Sequence, residues 1–195
     1  MQKKYNQKTT QSKEFTIEKP SQLKTICSWL AKKLKPQTIV LLEGPLGGGK
    51  TALVKYLAQH FNFAMRKVKS PTFSILNTYR VDNFVFHHLD LYRLDKHDYF
   101  LLEEMKELLS EKNAILLIEW PEKMQLSELY IIASRIISIK IDHNNENFRK
   151  FHIITTNTAK NTDSHVNKSF LAAPCESAPA CTARTSEVVK EKTHS

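Results

Sequence analysis

The sequence predicts an α/β protein in which helices flank a mixed central sheet, giving a three-layer fold. Three observations predict it. Two short, continuously apolar runs, TIVLL at 38–42 and AILLI at 114–118, have the character of strands covered on both faces. Amphipathic helical patterns lie between such runs, the alternation that builds a sheet between helix layers. Two late stretches, 135–141 and 148–155, alternate polar and apolar residues as an antiparallel hairpin would, which makes the sheet mixed.

In chain order, residues 21–34 read as a helix. Leu23, Ile26, Cys27, Leu30 and Leu34 fall on one face, Ser21 is positioned to cap the start, and Pro36 ends it. The 38–42 strand follows, then a glycine-rich loop, then a helix over 50–61 with Leu53, Leu57, Ala58 and Phe61 on one side. Residues 73–81 and 84–89 read as strands joined at Asp82-Asn83. Asp98 can cap a second amphipathic helix, LLEEMKELLSEK. The 114–118 strand and the closing hairpin around HNNEN complete the domain.

A chain of 195 residues suggests one domain with appendages. The reading places a flexible basic arm at 1–13, the folded domain at 14–155 and a disordered tail at 156–195, where Thr, Ser, Ala and Asn replace large apolar residues. No run approaches the roughly 20 apolar residues of a membrane-crossing helix. The start lacks the apolar stretch of a secretory signal, so a cytoplasmic protein is expected. Three cysteines without metal-type spacing read as free thiols. The net charge of +9 is unevenly distributed: residues 1–13 carry four lysines and no acid, while 14–154 carry twenty basic against sixteen acidic residues. A mildly basic body does not by itself demand a nucleic-acid partner.

All four glycines of the chain fall at 44–49. Gly44-Pro-Leu-Gly-Gly-Gly-Lys50-Thr51 fits G-x-x-x-x-G-K-[ST], the P-loop pattern, and its context fits too: an apolar strand before it and a helix after it. The chemistry explains the composition. Backbone N–H groups must wrap a phosphate at a helix N-terminus, and side chains would obstruct that approach. Gly44, Leu46, Gly47, Gly48, Gly49, Lys50, Thr51 and Ala52 are the expected nucleotide-binding residues, with the Lys50 ammonium on the β- and γ-phosphates and the Thr51 hydroxyl on Mg2+. A nucleotide with Mg2+ is therefore the expected ligand, and the fold is P-loop NTPase-like.

Hydrolysis also needs carboxylates at neighbouring strand ends. Glu119 ends AILLI where a Walker B acid would sit, although the usual Asp is absent; a surface salt bridge is the plainer alternative. Asp90 ends FVFHHL and could instead cap a short helix at 91–94. Lys50, Asp90 and Glu119 are the candidate catalytic residues, and Thr51, Asp90 and Glu119 the candidate metal ligands. Ser70 and Thr72 of SPTF read either as an ordinary turn or as a switch loop touching the γ-phosphate. Trp120 could pack or stack on the ligand. His87 and His88 are adjacent and point to opposite strand faces, so they do not share a metal.

GPLGGGKT, SPTFSILNTY, FHHLDLYRL and LLIEWPEK in this order resemble the TsaE (YjeE) family, P-loop ATPases of tRNA threonylcarbamoyladenosine biosynthesis. The resemblance covers roughly 14–155. It implies that Lys50 and Thr51 are the phosphate and Mg2+ pair, Glu119 the acidic metal-site residue, Asp90 the acid of the HxDLYR segment, Ser70 to Phe73 the switch-like stretch and Trp120 the tryptophan beside the acid. It further implies partnership with TsaB and TsaD, with tRNA reached through that complex, and ATP hydrolysis that resets the complex between turnovers. The family loop usually reads GDLGAGKT; here Pro45 and Gly48 depart from it. A small-molecule kinase and a nucleotide-sensing module with little turnover are the competing readings, and no lid-like segment favours the kinase.

Overall fold

The structure, a computed structural model, describes residues 10–94, 98–145 and 148–158. Residues 1–9 of the expected arm and the tail from 159 onward lie outside the described residues.

Seven strands form one sheet: β1 Thr10–Ile17, β2 Thr38–Glu43, β3 Leu76–Val81, β4 Phe84–Asp90, β5 Ala114–Glu119, β6 Arg135–Asn145 and β7 Phe148–Asn157. The helices are α1 Leu23–Ala31, α2 Lys50–His60, α3 Tyr99–Ser110 and α4 Ser127–Ile132. The sheet order is β1-β7-β6-β2-β5-β4-β3. β2 pairs in parallel with both β5 and β6, and β4 with β5. The β1–β7, β6–β7 and β3–β4 pairs are antiparallel, so the sheet is mixed as expected.

The two apolar runs lie at the centre, and alternate residues bury opposite faces. Val40, Leu42, Ile115 and Leu117 pack against Ile26, Leu30, Leu53 and Leu57 of α1 and α2. Ile39, Leu41, Leu116 and Ile118 pack against Leu102, Met105 and Leu129 of α3 and α4. Truncating any of these to alanine costs about 2–5 kcal/mol, so the central strands are held rigidly between two cores.

Several boundaries move. Residues 10–13, assigned to the flexible arm, form the first half of β1 and pair with 153–156. Only Ile17 is buried there and the first five side chains are exposed, so this polar edge strand has no apolar alternation to announce it. β7 likewise runs two residues past the expected boundary at 155, and β6 continues into HNNEN. Ser21 does not cap α1; it lies in a 3-10 turn, Pro20–Gln22, and the Gln22 side chain accepts the Glu18 and Lys19 N–H groups, both at 2.8 Å. Asp98 does cap α3, accepting the Leu101 N–H at 3.1 Å. β3 begins at Leu76 rather than Phe73, because Ile75 adopts a left-handed φ of 64° that interrupts extended backbone. No described helix is long and apolar enough to cross a membrane.

Candidate nucleotide-binding site

The loop between β2 and α2 turns on residues without side chains. Gly49, the residue before α2, has φ 109° and ψ 14°, a conformation that L-residues rarely adopt. Gly44 sits against the β6 backbone, where an added Cβ would stand 2.8 Å from the Ile141 carbonyl oxygen. Gly48 donates its N–H to the Pro45 carbonyl at 3.0 Å, and a Cβ on Gly48 would meet that oxygen at 2.9 Å and the proline Cδ at 3.3 Å. The two departures from GDLGAGKT are thus in contact: the proline ring and carbonyl fill the space an alanine at 48 would need.

Lys50 opens α2 and is buried. Its Nζ donates to the carbonyls of Gly44 at 2.7 Å and Pro45 at 3.0 Å, and lies 3.7 Å from the centre of the Trp120 ring. Burial pushes the ammonium below its ordinary pKa, against the opposing pull of Glu119, Asp90 and Glu122. The Trp120 ring is delivered by backbone that is itself left-handed, φ 59° and ψ 50°, pinned by its N–H to the Leu42 carbonyl at 3.1 Å. A bulky residue held in this region stores on the order of 1–3 kcal/mol of strain. The ring also lies 5.0 Å from the ring of Tyr92.

Parallel pairing sets Asp90 beside Glu119 at the ends of β4 and β5. Both carboxylates are buried. Glu119 Oε1 accepts from the Thr51 hydroxyl at 2.8 Å and from His88 Nε2 at 2.8 Å, so the salt-bridge alternative for Glu119 gives way to a side chain facing the loop. The helix-cap alternative for Asp90 gives way as well. Its Oδ1 accepts the Tyr92 N–H at 3.1 Å, capping a tight turn rather than a helix over 91–94, while its Oδ2 accepts the hydroxyls of Ser70 at 2.9 Å and Thr72 at 2.6 Å. The segment after Thr72 is tied down by Ile75, whose N–H bonds the Pro71 carbonyl at 2.6 Å and whose carbonyl accepts the Asp90 N–H at 3.0 Å.

These groups surround one cavity of about 250 Å3, lined by Leu46 to Ala52, Ser70, Thr72, Asp90, Tyr92, Glu119 and Trp120. Of the expected site residues only Gly44 stays out of its wall, contributing instead the carbonyl that holds Lys50. A second cavity of about 140 Å3 lies across the loop, sharing Gly47, Gly48, Gly49 and Ala52 and walled by Ile17, Pro20, Leu23, Arg149 and Phe151. Sequence reasoning missed this side altogether. Arg149 lies a hundred residues downstream of the loop, and nothing local distinguishes it from a surface arginine on an antiparallel strand.

Chemically, the first cavity joins an anion-binding helix start and ammonium to two buried carboxylates and a hydroxyl. Among the described residues no group of three or more His, Cys, Asp and Glu could hold a metal unaided. The donors that do converge, Thr51 and Glu119 with Asp90 alongside, are hard oxygens. That set suits Mg2+, which takes one or two carboxylates and completes its shell with phosphate oxygens and water.

Comparison with known proteins identifies the family. The family described as "Threonylcarbamoyl adenosine biosynthesis protein TsaE" matches residues 17–151. A protein of Rickettsia felis named tRNA threonylcarbamoyladenosine biosynthesis protein TsaE is 34% identical over 145 residues, spanning 73% of this chain and 80% of that protein. The protein of the same name from Aquifex aeolicus is 32% identical over 142 residues, 72% of this chain and 95% of its own length. The crystal structure of Bacillus subtilis YdiB matches with a TM-score of 0.57 at 24% identity, covering 76% of this chain and 87% of that one, a likeness of fold.

Proposed function

We propose, from the premise that this chain belongs to the TsaE family of tRNA threonylcarbamoyladenosine biosynthesis, that it is an Mg2+-dependent ATPase acting with TsaB and TsaD. One observation carries the reading: the P-loop pair Lys50 and Thr51 faces two buried carboxylates across a single cavity, with Thr51 already bonded to Glu119.

In this reading the N–H groups of residues 47–52 hold phosphate oxygens, and the Lys50 ammonium leaves the Gly44 and Pro45 carbonyls for the β- and γ-phosphates. Thr51 would hold Mg2+ through a hydroxyl lone pair while its O–H still donates to Glu119. Bound Mg2+ supplies neutralisation of the charge on the phosphate oxygens. Asp90, held by three donors at the cavity wall, orients the attacking water. Trp120 and Tyr92 exclude bulk water from one side. The smaller cavity, with apolar walls at Leu23 and Phe151 and the Arg149 guanidinium, takes the base and sugar. Turnover is feeble alone, and TsaB–TsaD stimulates it by acting on the 70–75 segment that holds Asp90. The protein then works in the cytoplasm and meets tRNA through the complex.

ATP hydrolysis measured alone and with TsaB–TsaD tests this. Strong stimulation that disappears in Lys50→Ala and Glu119→Ala is the expected result. Unchanged turnover with the complex present, or phosphate appearing on a small acceptor, would refute it.

A further inference from the structure

We propose that His88 is the positioning residue of the metal site: it fixes Glu119 in a metal-ready orientation from beneath the sheet end. The inference rests on the ATP and Mg2+ reading above and assigns a role to a residue which that reading leaves unused.

A β-strand repeats every two residues, so His88 and Asp90 share one face of β4 while His87 points away. The parallel register pairs His88 with Leu117 and Asp90 with Glu119, which puts the His88 side chain below the carboxylate at the end of β5. His88 is fully buried, and its Nε2 donates to Glu119 Oε1 at 2.8 Å. Because that acceptor is a carboxylate, the ring proton sits on Nε2. Nδ1 has no hydrogen-bond partner. The ring therefore spends its single hydrogen bond on Glu119.

Glu119 is equally informative. Both donors, Thr51 and His88, converge on Oε1, leaving Oε2 without a protein donor among the bonds the described residues make. An unrestrained glutamate at a strand end has three rotatable torsions, and holding one oxygen from two sides fixes the direction of the other. Of the two donors, Thr51 has a second duty as a metal ligand. His88 has none, so it is the constant restraint. His87 supplies an internal control: it is buried on the opposite face, contacts the Thr78 hydroxyl at 3.0 Å and touches none of the site groups.

The test is a titration of Mg2+ into protein with N-methylanthraniloyl-ADP, read by fluorescence, with a parallel arm in EDTA. His88→Phe keeps the ring volume and removes the donor; His88→Gln places an amide N–H near the Nε2 position. Removing a partner that orients a metal ligand typically weakens metal affinity 10–100-fold. We expect His88→Phe to raise the half-saturating Mg2+ concentration by that factor, His88→Gln to recover most of it, and His87→Phe to leave it unchanged. Nucleotide affinity in EDTA should stay within about twofold throughout. Should His88→Phe fail to fold, His88→Asn, whose amide stops short of Glu119, gives the same reading. If His88→Phe titrates like the native protein, or if all His88 variants lose metal-free affinity equally without rescue by glutamine, the positioning role is wrong. A native protein whose binding ignores Mg2+ would overturn the metal reading as well.

Discussion

Replacing Gly48 by alanine in this protein should be costly only while Pro45 is present. Gly48 does not have a positive φ, so the added methyl brings no backbone strain; its cost is steric. The new Cβ would stand 2.9 Å from the Pro45 carbonyl oxygen, 3.3 Å from Cδ and 3.5 Å from Cγ. Overpacking of this kind costs about 1–3 kcal/mol, while loss of glycine's freedom in the unfolded chain returns about 0.4–1 kcal/mol. A net loss of about 1–2 kcal/mol follows. The same carbonyl accepts from Lys50, so any shift that relieves the clash also loosens the ammonium. Pro45→Ala removes the ring contacts and frees φ at 45, so the backbone can give by the few tenths of an ångström that the carbonyl contact needs while keeping its hydrogen bonds; Gly48→Ala should then be nearly neutral. Urea unfolding of the native protein, both single variants and the double variant gives the coupling directly, and ATP affinity on the same four proteins gives its effect on the site. A coupling energy of about 1–2 kcal/mol is expected. Effects that add to within about 0.5 kcal/mol would refute the argument, because that is how independent positions behave.

Three further outcomes follow from the same structure. Unfolded Lys50 titrates near 10.5 and folded Lys50 lower, so between the two values the unfolded chain binds more protons and this group makes stability rise with pH. The difference in urea midpoint between Lys50→Met and the native protein should therefore shrink as pH climbs towards 10.5, and parallel curves would count against it. Burial pushes the Cys27 thiol up to about 12, so iodoacetamide at pH 8 should not alkylate it until denaturant is added, as peptide mapping would report. Ile17→Ala should destabilise by about 2 kcal/mol despite lying on an edge strand, since its side chain is buried in the α1–α2 core; calorimetry showing an unchanged Tm would refute that.

Much of the site was legible because its chemistry is local. The glycine cluster, the apolar strand before it and the helix after it are contiguous, and each needs only its neighbours to be recognised. Asp90 and Glu119 were legible for a related reason: both end strands, and parallel strands bring their ends together. What sequence could not supply was pairing across the chain. β1 is polar and becomes a strand only because β7 offers it an edge. Arg149 reaches the loop through a hairpin whose register no local pattern specifies. Nothing local set His88 apart from His87, since its bond to Glu119 spans thirty-one residues. Ile75 breaks β3 with a left-handed turn that a β-branched residue gives no reason to expect.

The left-handed turn that places Trp120 beneath Lys50 also makes the protein its own optical probe. The chain has two tryptophans. Trp120 lies against the loop ammonium, whereas Trp29 packs edge-on against Phe15 of β1 with ring centres 5.9 Å apart. One indole therefore senses the ligand cavity and the other senses the sheet edge. In a Trp29→Phe background, intrinsic emission reports the loop alone, and departure of the ammonium from the Trp120 ring face becomes a colour and intensity change that can be followed on the timescale of stopped flow, with no label attached.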